Sequence, residues 1–257
     1  MSTVKSPSEV INAVCPVCTG QVVSNYVYKM QDSKSKDVSF WNRCRCGVVW
    51  QHKYPEGIDK FYGKKYVRAL LEDKQKYSDS CYYYGRVYAS LIEELMYGRK
   101  LLDVGYTAPY NMEAFRIRGW IPFGIEFNED AVESSRMIKG NFESYEFPDM
   151  VKYNLIWMNH VIENMKDPVR ALKISLDLLA EDGCIFIATP DTDMIFTNSS
   201  HSFCYWRENE HYIMWNKMVL TRKLEELGFD IIMARRNHEV RFTYTDDLHI
   251  LAQKKIF

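Results

Sequence analysis

Long apolar runs are the first thing this sequence lacks. Among its 257 residues, runs such as IFIA at 185–188 fall far short of the ~20 apolar residues a membrane-spanning helix needs. The polar opening MSTVKSPSEV has no apolar core of the kind a secretory signal carries. A soluble, cytoplasmic protein with no membrane partner is expected. A surplus of either charge is missing too. With 33 basic against 34 acidic residues, the chain has no net attraction for a nucleic-acid backbone, which argues against a nucleic-acid partner. Residues 1–75 carry 12 Lys or Arg against 7 Asp or Glu, a mild tilt that reads as an ordinary solvated surface. Internal repeats and low-complexity tracts are also absent.

What is present is enough apolar material, 47% of residues, for one generous domain or a standard domain with a small appendage. Seven cysteines sit at 15, 18, 44, 46, 81, 184 and 204. Without a secretion signal, close pairs point to metal before disulfide. Cys15 and Cys18 form CxxC, and Cys44 and Cys46 form CxCG. The strand-like runs QVVSNYVYK and VSFWNR lie between them, split by the polar turn QDSKSKD. This is the plan of a zinc ribbon, in which one tetrahedral ion replaces a core too small to form. The second pair is one residue short, and His52 is available as a substitute ligand.

Residues 54–99 read as a helical cap rich in tyrosine, with Tyr84, Val87, Tyr88, Leu91 and Leu95 as the apolar stripe. From 100 onward strand and helix alternate. Strands are expected at 100–105, 121–127, 153–159 and 184–189, with two more in FDIIMARR and DLHILAQKKIF. Helices are expected at 109–119, at 129–140, from Asp167–Pro168 through ALKISLDLLA, and through LTRKLEEL up to Gly228, and a short extended piece near SYEF. Asp167 as cap and Pro168 as first helical residue are a strong start signal. The alternation predicts an α/β, doubly wound parallel sheet with helices on both faces. The expected organisation is 1–53 ribbon-like, 54–99 cap and 100–257 sheet domain.

In such a sheet the ligand sits at the carboxyl ends of the strands. Asp103 and Gly105 end the first strand, and Glu126 ends the second, 21 residues beyond Gly105. That separation suits an acid that receives two ribose hydroxyls; a strand-end acid facing water is the alternative.

The ordered segments LLDVG, GIEFNEDAVE, YNLIWMNHVIENMKDP, LLAEDGCIFIATPD and EHYIMWNKMVLTRKLEELGF resemble a class I S-adenosylmethionine-dependent methyltransferase with a seven-stranded, Rossmann-like sheet. The branch resembled carries an N-terminal zinc ribbon and includes many sugar methyltransferases. The resemblance implies S-adenosylmethionine and structural zinc as cofactors and a small polar acceptor, such as a nucleotide sugar or other carbohydrate. It implies that Asn159 and His160 border the cofactor, and that the region of Tyr77, Tyr82, Tyr83 and Arg86 caps it. There Arg86 would bind the cofactor carboxylate. Glu210 and His211 match an EH pair that supplies the base in related sugar methyltransferases, although the same pair also serves structure in the wider branch. His201 lies in the same long connection, of the type that forms a substrate lid.

Departures from the family pattern are local. The first loop, normally DxGxGxG, keeps Asp103 and Gly105 but has Thr107 and Pro109 in place of its other glycines. Asn164 replaces a histidine after Glu163. Glycines there allow close backbone approach, whereas Pro109 suits a first helical turn. Two readings follow: a reshaped loop that still binds cofactor, or a methyltransferase-like binding or regulatory protein that does not turn it over.

Overall fold

The computed structural model describes residues 3–4, 14–20, 27–31, 38–55, 57–58, 62–72, 85, 87–107, 110–131, 136–193, 210–236 and 247–256. Arg86, Pro109 and His201 lie outside the described residues, as do Tyr77, Tyr82, Tyr83, Tyr84, Cys81 and Cys204.

The main sheet contains β5 (Lys100–Val104), β6 (Ile121–Glu126), β7 (Met137–Lys139), β8 (Tyr153–Asn159), β9 (Leu179–Pro190), β11 (Phe229–Arg236) and β12 (Asp247–Lys254). Its seven strands run in the order β11-β12-β9-β8-β5-β6-β7. Neighbours from β9 to β7 are parallel, and β12 is antiparallel to both β9 and β11. The sheet is therefore mixed, where alternation alone predicted a parallel one. β11 and β12 are consecutive and lie side by side, which needs no crossover.

Alternate residues of the central strands feed two cores. Leu102, Ile156, Ile185 and Ile250 pack on one face with Leu172 of α4 (Pro168–Leu178) and Leu220 of α5 (Lys217–Leu227). Leu101, Leu155, Phe186 and Leu251 pack on the other. There they meet Ile92 of α2 (residues 87–95), which follows α1 (Lys64–Glu72) in the chain, and Phe115 of α3 (Tyr110–Ile117). Burial on both sides explains why these strands read as nearly continuous apolar runs.

Helix signals translate directly into caps. Asp167 accepts from the Arg170 amide at 2.9 Å, and Gly228 ends α5 at φ 106°, the left-handed backbone glycine adopts without strain. Three expectations need correction. Residues 137–139, expected to end a helix, form edge strand β7. The SYEF segment is not a strand. The buried face of α2 is Tyr88, Ala89 and Ile92, continued by Met96 just past its end, while Val87 and Leu91 are exposed. Sheet contacts rotate that helix away from its expected stripe.

The N-terminal sheet runs β1 (Thr3–Val4), β2 (Val27–Gln31), β3 (Val38–Arg43), β4 (Val49–Gln51) and β10 (Ile213–Met214). Its last strand comes from the far end of the chain. Cys15, Val17, Val48 and Trp50 join the core on the α4–α5 face, and Gly47 (φ 105°) leaves room for Asn216, the cap of α5. Among the described residues, no helix is long and apolar enough to cross a membrane.

Candidate active site

Strands β5, β6, β8 and β9 all deliver their carboxyl ends to one edge of the main sheet. Antiparallel β12 enters at the same edge, with Asp247 opposite Pro190. Six acids are buried around this edge: Asp103, Glu126, Glu163, Asp191, Glu210 and Asp247.

On β5, Asp103 is buried, and burial pushes its carboxyl up to about 8, against a hydrogen bond from Asn111. Gly105 turns the chain at φ 75°, and a Cβ there would overlap the Val161 side chain. Glycine is thus required twice at this position, by conformation and by space. Tyr106 is buried over Gly124 of β6, whose missing side chain accommodates the ring. Glu126 closes β6. Its Oε1 accepts the Asn128 amide at 2.9 Å, while the Thr107 hydroxyl lies 3.5 Å from the Gly105 carbonyl. Burial nevertheless pushes Glu126 up to about 7.

Asn159 ends β8 opposite Ala188 of β9. His160 follows at φ 55°, with its amide bound to the Ala188 carbonyl at 2.8 Å. Its Nδ1 lies 3.2 Å from Glu163 Oε1, and its Nε2 lies 3.2 Å from Asp247 Oδ2. Burial works against the imidazolium, yet Asp247 and Glu163 outweigh it and raise His160 well above the ordinary histidine range. Glu163 also receives the Thr189 hydroxyl at 2.9 Å. His160 therefore ties β8, β9 and β12 together as a charged bridge.

Glu210 and His211 are both buried, with His211 Nε2 3.8 Å from Glu210 Oε1. Side chains from the N-terminal half of the chain hold this turn. Tyr62 donates its hydroxyl to Glu210 Oε1 at 3.3 Å, and Gln51 Nε2 donates to the His211 carbonyl at 2.5 Å. Directly after the turn, β10 pairs with β4. The EH pair is therefore fastened to the N-terminal sheet.

Cys15, Cys18, Cys44 and Cys46 converge so that their sulfurs all lie within 4.8 Å of one another. The separations are 3.9 Å for Cys15–Cys46 and 3.4 Å for Cys18–Cys44. A tetrahedral zinc with bonds of about 2.3 Å sets its sulfurs about 3.8 Å apart, so the four thiols are placed to share one ion. The short CxC spacing is accommodated by the Cys44–Gly47 turn, closed by Gly47 N to Cys44 O at 3.0 Å. His52 is not part of the cluster.

Sequence reasoning passed over Tyr62, Asn128, Gln51, Thr189 and Asp247. Asn128 had a usable signal, since it stands two residues after the strand-end acid. Tyr62 had none among 18 tyrosines.

A family profile described as a methyltransferase domain matches residues 72–234, more than half of the chain. The chain belongs to the methyltransferase-domain family. No curated protein matches it in sequence. Solved structures of methyltransferases share the fold. The plantazolicin methyltransferase BpumL, solved with S-adenosylhomocysteine, is 12% identical at a TM-score of 0.60, over 77% of this chain and 94% of that one. The Burkholderia thailandensis 1,6-didemethyltoxoflavin-N1-methyltransferase is 13% identical at 0.58, over 90% and 99%. A third is a complex of the Haloferax volcanii Trm112 methyltransferase activator with a methyltransferase, 13% identical at 0.58 over 79% and 99%.

Proposed function

We infer that this methyltransferase-family chain transfers a methyl group from S-adenosylmethionine to a small polar acceptor in the cytoplasm. One observation supports the reading above all: a tight glycine turn and a buried carboxylate stand at adjacent strand ends, Gly105 directly after β5 and Glu126 on β6. These residues fit the cofactor. At Gly105 the space a side chain would need is filled by Val161, which packs the turn closely against the segment after β8, and Glu126 offers acceptors to a ribose diol. Asp103 and Thr107 flank the cofactor cradle, and Asn159 and His160 border it on the β8 side. Arg86 is proposed as the partner of the cofactor carboxylate. When bound, the cofactor supplies a methyl group already activated by its sulfonium.

The chain's own task is to hold the acceptor in line, exclude water and accept a proton. His211 is proposed as the base and Glu210 as the carboxylate that orients it, with His201 contributing from the same connection. A nucleotide sugar or other carbohydrate is proposed as acceptor. BpumL and the Burkholderia enzyme, both solved with S-adenosylhomocysteine, lend support to the cofactor. Zinc is proposed for the four thiols as a structural ion, closing a ribbon-like subdomain at 1–53 beside a cap at 54–99 and the sheet domain at 100–257.

Calorimetric titration with S-adenosylmethionine and S-adenosylhomocysteine tests the reading. Micromolar binding that Glu126→Ala weakens is expected, and absence of binding by the natural chain overturns it. A second reading, a binding or regulatory protein, draws on Thr107, which stands in the turn where the family pattern has glycine and turns its hydroxyl toward the Gly105 carbonyl at 3.5 Å. Tight binding of S-adenosylhomocysteine without turnover of any acceptor would favour it.

A further inference from the structure

Tyr62 stands where the cofactor edge and the EH turn meet. Its backbone carbonyl accepts from Asn128 Nδ2, and the Asn128 amide in turn holds Glu126 Oε1. Its hydroxyl accepts from Asn164 Nδ2 at 2.8 Å while donating to Glu210 Oε1 at 3.3 Å. The Asn164 carboxamide also reaches the His160 carbonyl at 3.3 Å. Thus the Glu126 turn and the end of β8 both bear on one residue, and that residue touches the acid of the Glu210–His211 pair. The ring is fixed independently of its hydroxyl, meeting Tyr66 and Phe127 edge-on at 4.9 and 6.5 Å between centroids. Burial, then the charge of Glu210, raises the phenol well above its ordinary range, so it remains a donor.

We propose that Tyr62 is a positioning residue that transmits occupancy of the cofactor cradle to Glu210 and His211, so that the acceptor side is ordered once cofactor has bound. The proposal rests on the cofactor reading above. A ligand that fixes the Glu126 carboxylate also fixes the Asn128 turn and the Tyr62 carbonyl. The hydroxyl then carries that restraint to Glu210. Coupling of this kind needs a contiguous set of contacts and a measurable interaction energy between the two sites.

Amide hydrogen exchange of the full chain, with and without saturating S-adenosylhomocysteine, tests it. In the natural chain the ligand is expected to slow exchange across residues 210–214 by about fivefold or more. Tyr62→Phe keeps the ring and the carbonyl, so it should bind the ligand with unchanged affinity yet lose that protection. A purely structural role would raise exchange equally in the free and bound states. Should Tyr62→Phe fail to fold, Asn128→Ala keeps the backbone amide on Glu126 but cuts the side-chain link to the Tyr62 carbonyl, and is expected to abolish the protection too. Protection that survives in either folded variant overturns the proposal, as does its absence in a natural chain that binds the ligand. A natural chain that does not bind overturns the cofactor reading, and this inference with it.

Discussion

The thiol cluster and the carboxyl edge of the main sheet both concentrate ionisable groups in the interior, but they satisfy them in opposite ways. In the cluster, four sulfurs face one another: Cys15 is pushed upward by its hydrogen bond with Cys46 and by burial, while Cys46 is pulled down by Cys15. Sulfurs so arranged are placed to share one cation from outside the chain. At the sheet edge, by contrast, the chain supplies the partners itself. Glu163 and Asp247 share His160, Asp191 has Arg236 at 2.6 Å, and Glu210 has Tyr62. Asp103 and Glu126 differ from these, for burial has outrun their hydrogen bonds. A carboxyl left above its ordinary range beside a sharp turn is a place where a ligand's donors would be welcome.

Removing the external partner should have the largest effect. Cys15→Ser is expected to lose about one equivalent of zinc by metal analysis and to lower the melting temperature by on the order of 10 °C. A metal-free natural chain with undiminished stability would erase the contrast between the two regions.

On the sheet side, Glu126→Ala should weaken S-adenosylhomocysteine binding about 100-fold by calorimetry, the scale of lost hydrogen bonds to a charged acceptor. The same carboxyl predicts a pH dependence. Because Glu126 lies at about 7 and must be ionised to accept the diol, affinity should fall by up to about tenfold per pH unit below that value. Stability moves the other way. Both carboxyls are raised in the folded chain, so the folded state holds protons that the unfolded state has released. Their contribution is full below the unfolded carboxylate range of about 4. It declines as pH rises through about 7 for Glu126 and about 8 for Asp103. Melting curves of the natural chain and Glu126→Gln, followed across that window, should differ in slope.

The smallest effect separates backbone from charge at His160. His160→Ala loses the bridge between Glu163 and Asp247 and also keeps a Cβ at φ 55°. His160→Gly loses the bridge alone and should be more stable than the alanine variant by about 1 kcal/mol in urea melts. Equal stabilities would mean that the left-handed backbone carries no strain.

Legibility followed the range of the forces involved. The strand ends at Asp103, Gly105 and Glu126, the Asp167–Pro168 start and the Gly228 stop are local features, and each appears in the structure where the sequence put it. The edge strand at 137–139 is hidden in the sequence because its period-two signal is too short to compete with the preceding polar run. The buried face of α2 is not legible in the sequence because Val87 and Leu91 satisfy helical spacing as well as Ala89 and Ile92 do, and only contact with the sheet chooses between them. Tyr62 and Asp247 carry no pattern at all.

By itself, then, the sequence determined six of the seven strands of the main sheet, the helix start at Asp167 and stop at Gly228, and the two close cysteine pairs, since these depend on neighbours within a few residues. Tertiary structure alone decided that β10 completes the N-terminal sheet, that His160 lies between two distant carboxylates, and that Tyr62 meets Glu210 across 148 residues. The physical reason is that a hydrogen bond between remote residues leaves no periodicity in the chain; it exists only once the sheet has fixed both partners in space.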